Sequence, residues 1–85
     1  MALRYPDGKR IRLYAAVGRA LREHREAEGM SIAELAARTG IHASQLGKIE
    51  EGATACPLHV LVALADEYDV TLDELVPVLT DRKAA

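Results

Sequence analysis

Signals for starting and stopping helices recur so closely along this chain that only short helices fit between most of them. Ser31-Ile32-Ala33-Glu34 and Thr71-Leu72-Asp73-Glu74 are both capping boxes. In each, the hydroxyl accepts a backbone N–H three residues on, and the glutamate reaches back to the cap's own N–H. Gly29, Gly40 and Gly52 each follow an apolar-periodic segment, where glycine ends a helix by turning left-handed. Pro57 opens another segment, at a helix start where its missing N–H costs nothing.

Between these marks the apolar residues repeat at three and four, the period of a helix with one buried face. Val17, Ala20, Leu21, His24 and Ala27 predict a helix from Leu13 to Glu28. Leu35 and Ala36 face inward in a second, from Ser31 to about Arg38. Leu46 and Ile49 do so in a third, from about His42 to Glu50. Leu58, Leu61, Leu64, Ala65 and Tyr68 form the stripe of a fourth, and a short fifth runs through Leu75 and Val76 until Pro77 limits it. The expected fold is all-α: one domain over 14–79, with a polar tail at 80–85 and a basic segment at 1–13. In that segment Pro6-Asp7-Gly8 reads as a turn, and Leu3, Tyr5, Lys9, Ile11 and Leu13 alternate loosely around it. The segment is a small β-hairpin or a basic arm.

Composition narrows the function. The chain has 85 residues and a net charge of −2, but the charge is unevenly spread. Residues 1–25 hold seven basic and two acidic groups, and the remainder four and eleven. A basic end of this kind suits an anionic partner, although a solvated surface with chance clustering reads the same way. No apolar run approaches the roughly 20 residues of a membrane span, and the start lacks the apolar core of a secretion signal. One cysteine, Cys56, cannot form an internal disulfide, so a reducing, cytoplasmic setting is expected. Cys56-Pro57-Leu58-His59 has a ligand-like spacing, but zinc needs four ligands and His24 and His42 lie on other helices. Neither a metal nor another cofactor is expected. No nucleophile–base pair or phosphate loop stands out, and an enzyme is not expected.

The stretch from Leu21 to Gly52, followed by Pro57 to Val76, resembles the Cro/lambda-repressor-like (Xre-type) helix-turn-helix family. The resemblance covers residues 17–76 and rests on Arg25, Gly29, Ser31, Glu34-Leu35-Ala36, Gly40, Ile41, Leu46, Ile49-Glu50, Gly52, Pro57, Leu64-Ala65 and Leu75. It implies a five-helix, lambda-repressor-like DNA-binding domain, often a homodimer, in a bacterial or phage regulator. It also implies an internal ion pair between Arg25 and Glu50. The small Ala36 and Gly40 suit two helices meeting steeply around a short turn.

The resemblance lays the third helix in the major groove, with His42, Ala43, Ser44, Gly47 and Lys48 facing the bases and Gln45 at the margin, counted with the phosphate contacts. Lys48 can donate to guanine, Ser44 can bond any base edge, and Ala43 can touch a thymine methyl. Affinity must then come largely from phosphate neutralisation, by Arg38, Lys48 and the N-terminal Arg4, Lys9, Arg10 and Arg12. Two positions depart from the family pattern. Ile32 stands where a glutamine commonly meets phosphate, and Glu51 where a basic or amide residue approaches the backbone.

Two functions follow. The first is a sequence-specific regulator of double-stranded DNA, a homodimeric repressor on a palindromic operator. The second is a protein-interaction module on the same fold, using Ile32, Ala43, Gly47 and the acidic half of the chain. At this length no sensor domain fits beside the fold, so control is expected from concentration, a partner protein or a longer parent chain. Ile32, Val76, Val78 and Leu79 are either leftover apolar surface for a dimer or intrachain packing.

Overall fold

A computed structural model describes residues 7–79. Five α-helices follow one another: α1 (Asp7–Ala27), α2 (Ile32–Thr39), α3 (Ala43–Glu50), α4 (Leu58–Tyr68) and α5 (Leu72–Leu75), then a 3-10 turn at Pro77–Leu79. No strand occurs among the described residues.

Local chemistry sets the helix ends. Both capping boxes form. Ser31 Oγ accepts the Glu34 N–H at 3.1 Å while Glu34 accepts the Ser31 N–H at 3.2 Å. Thr71 and Glu74 make the same exchange at 3.3 and 3.0 Å. Three of the helix exits, those of α1, α3 and α4, repeat one device. At the end of α1, Met30 N–H reaches the Arg25 carbonyl at 3.2 Å and Gly29 N–H the Glu26 carbonyl at 3.0 Å, with Gly29 left-handed at φ 68°. Gly52 ends α3 in the same way. Asp69, at φ 54°, closes α4 with the same pair of bonds, although it carries the side chain that glycine lacks.

The core is built from Val17, Leu21, Met30, Leu35, Leu46, Ile49, Val60, Leu61, Leu64, Ala65, Tyr68, Leu75 and Val76. Burying each of the larger aliphatic side chains contributes about 1.5–3 kcal/mol. Val76 is fully buried, and Ile32 and Val78 are half-buried against the core, so these three pack within the chain. Half-buried His24 stacks on Tyr68 with ring centroids 5.6 Å apart, and its Nε2 lies 3.2 Å from the Glu74 carbonyl.

Two expectations are corrected. From Asp7 onward the proposed hairpin is helix: α1 runs unbroken through Leu13, and Leu13 packs against the core. A lone two-stranded hairpin is marginal in water, whereas adding turns to an existing helix needs no new nucleus. The arm alternative for residues 1–6, like the tail from 80 to 85, lies outside the described residues. Leu58 is 69% exposed and Val60 takes its place in the core. Leu58 points nearly the same way round the helix as Ala65, but as the first residue of α4 it stands past the edge of the buried layer.

α1 and α3 touch backbone to backbone. A Cβ on Gly18 would overlap the carbonyl oxygens of Ile49 and Glu50, the latter at 2.6 Å. A Cβ on Gly52 would lie 2.8 Å from Ala15 Cα. α1 therefore rests on the C-terminal end of α3 with nothing between.

Candidate nucleic-acid interface

The turn between α2 and α3 is pinned twice. Gly40, at φ 76°, sends its N–H to the Ala36 carbonyl at 2.9 Å. Thr39 Oγ1 donates to the Leu35 carbonyl at 2.8 Å and accepts the Ile41 N–H at 3.3 Å. One threonine thus joins the last turn of α2 to the start of the link, so the two helices hold a set angle.

α3 is anchored by Leu46 and Ile49, each 1% exposed. With those two inside, His42, Ala43, Ser44 and Lys48 are exposed and Gln45 and Gly47 half-exposed. His42 is the N-cap but makes no side-chain cap bond. Its ring is therefore not committed to the helix start. Lys48 forms no ion pair or hydrogen bond with the described residues. A Cβ on Gly47 would meet nothing within 4 Å, as at Gly8 on the first turn of α1, and Gly47 stands mid-helix on the exposed side of α3. Glycine inside a helix costs roughly 0.5–1 kcal/mol relative to alanine. Gly18 has an internal reason to be glycine; Gly47 has none within the described chain.

The Arg25 and Glu50 side chains, 12% and 6% exposed, meet in a two-pronged pair. Nε and Nη2 donate to the two carboxylate oxygens at 2.9 Å each, and Nη1 donates to the Met30 carbonyl at 2.8 Å. The hydrogen bond to Glu50 raises the Arg25 pKa above its ordinary value, against the opposing effect of burial. The pair ties the end of α1 to the end of α3 and removes the Glu50 charge from the exposed face. Removing one partner of a fully buried pair costs about 3–5 kcal/mol, which is the upper bound for this partly buried one. Glu51, the next residue, is exposed.

Arg38 is not free. Its Nη1 donates to Glu67 Oε2 on α4 at 3.1 Å, with the two side chains 60% and 21% exposed. The pairing crosses 29 residues, and no local pattern points to it. Of the N-terminal cations, Arg12 is exposed and Lys9 and Arg10 lie on the first turns of α1. Arg4 lies outside the described residues. Arg19 is exposed, while Arg22 is held by Glu26 at 3.3 Å. Cys56 is half-buried, and burial pushes its thiol up to about 11. No described helix is long and apolar enough to cross a membrane.

The model of one protein family, described as a helix-turn-helix domain, matches residues 16–78. No curated protein and no solved structure was found to match. The match takes in the pinned turn, the helices on either side of it and the ion pair behind them, and the chain belongs to the helix-turn-helix domain family, in its Cro/lambda-repressor (Xre) branch, whose fold is a DNA-binding one.

Proposed function

We propose that the chain is a sequence-specific transcription regulator of double-stranded DNA. In this reading it is a cytoplasmic repressor that binds a palindromic operator as a homodimer. Lys48, Ser44 and His42 read or approach base edges, while Ala43 and Gly47 let α3 lie deep in the major groove. Arg38, Gln45, Lys9, Arg10 and Arg12 supply phosphate contacts.

The observation that carries the reading is the face of α3 itself. It combines an unpaired lysine, small residues and a glycine whose vacancy nothing in the described chain uses. A mid-helix glycine lets another backbone or a base edge come close. Two copies on one operator would set their third helices about 34 Å apart, one turn of DNA.

A protein-interaction module is the second reading. It is favoured by the exposed Glu51 and by Leu58 and Val62, 69% and 44% exposed on α4.

Anisotropy binding to mixed genomic fragments across a salt series, with sequencing of what is retained, separates the two. An operator-binding dimer gives one enriched palindrome and a steep slope, about −0.9 per neutralised phosphate. Lys48→Ala then weakens binding strongly and leaves a protein partner largely unaffected. Absence of binding at low salt sinks the DNA reading.

A further inference from the structure

The family match begins at residue 16, but α1 begins at Asp7. Residues 7–15 therefore lengthen the first helix by about two and a half turns beyond the matched domain. The crossing of α1 and α3 shows where they go. Gly18 lies on the carbonyls of Ile49 and Glu50, and Ala15 lies against Gly52. Toward its N-terminus α1 then runs on for about 12 Å, at 1.5 Å per residue, past the loop that follows α3.

This extension is strongly basic, with Lys9, Arg10 and Arg12 against the single acid Asp7. Arg12 and Arg19 are both exposed. Seven residues apart, they share one side of the helix about 10.5 Å from each other. Neither has a partner among the described residues, whereas the next cation, Arg22, is taken by Glu26. The two unpaired charges thus stand on one side of α1, and Lys9 and Arg10 add two more on its first turn, where the backbone dipole favours an anion. A single small anion would meet Arg12 and Arg19 together only if the two side chains bent toward each other, whereas a polyanion with charges along a strand meets both where they stand.

We propose that α1 is a second nucleic-acid contact. Arg12 and Arg19, with Lys9 and Arg10 on the added turns, hold the phosphate backbone of the duplex outside the groove that α3 enters. The proposal rests on the DNA-reading function above and adds Arg19 and the added turns to it. It lengthens the footprint beyond one major groove, and DNA binding firms up the added turns.

The test uses the full chain, a random-sequence duplex of about 30 base pairs and a salt series from about 50 to 200 mM. Arg12→Gln/Arg19→Gln makes the salt slope shallower by about 1.8, or 0.9 per lost phosphate contact, and lowers affinity at least about tenfold. Lys9→Gln/Arg10→Gln acts in the same direction. In the wild type, duplex slows amide exchange across residues 7–15. Slopes unchanged in both double variants, with wild-type binding intact, overturn the second contact and leave the reading by α3 standing. A wild type that binds no duplex even at low salt overturns both.

Discussion

Two glycines in this fold do opposite work. Gly18 is glycine because the backbone of α3 occupies the place of its Cβ. Gly18→Ala must push two helices apart, and overpacking of this kind costs about 1–3 kcal/mol. A lower urea midpoint with an unchanged m-value is the expected result, and an unchanged midpoint would mean that the helices separate freely. Gly47 faces open space, so Gly47→Ala should stabilise the fold by about 0.5–1 kcal/mol while weakening DNA binding. A gain in both would remove the argument for close approach. The Tyr68 hydroxyl is buried with no hydrogen-bond partner among the described residues, and burial pushes it up to about 12. A buried hydroxyl without a partner carries its desolvation cost uncompensated. Tyr68→Phe should therefore leave the thermal midpoint the same or higher, and a clear drop would reveal an ordered water bound to that oxygen.

The elements were the most legible part of the sequence, because their signals are local. Each capping box needs only two residues three apart, and each glycine exit only the end of a periodic run. The start of α1 is ambiguous in the sequence because Pro6-Asp7-Gly8 serves two purposes. The same triplet that suits a turn also suits a helix entrance, since α1 begins at Asp7 and an acidic residue is favoured in the first turn of a helix. The exposure of Leu58 is not legible in the sequence, because periodicity gives a direction round the helix but not a depth along it. The second capping box carries a pH signature. Hydrogen bonds from the Thr71 backbone and hydroxyl hold the Glu74 carboxyl below its ordinary value of 4.5. A carboxyl depressed in the folded state adds stability in full above that value and loses it as pH falls through the lower, folded one. Glu74→Gln should flatten this part of the stability–pH curve below the ordinary value of 4.5, as read by urea midpoints. A mutant curve parallel to wild type would show that the box is open in solution.

For the whole molecule, what matters is which charges are spoken for. Glu50 is neutralised inside the fold, Glu67 holds Arg38, and Lys48, Arg12 and Arg19 are unpaired among the described residues. Net charge cannot show this partition, because it depends on contacts across the chain. The proposed reading face was likewise legible only through family resemblance, since spacing alone does not distinguish a groove-facing alanine from any exposed one. Glu67 competes with any phosphate for Arg38. An exposed pair of this kind is worth no more than about 1 kcal/mol, so Glu67→Gln should tighten duplex binding by up to about fivefold. Unchanged affinity would take Arg38 off the list of phosphate contacts.

The backbone contact at Gly18 also makes the molecule a lever. Its fulcrum is the crossing of α1 on α3, and the turns before Leu13, which still packs on the core, are its arm. Because no side chain cushions the fulcrum, the arm's bearing is set by α3. A rigid helix spliced in register onto the start of α1 would inherit that bearing. A fluorophore or second binding module carried on it would sit at a fixed distance and angle from α3, and so serve as a molecular ruler for whatever α3 engages.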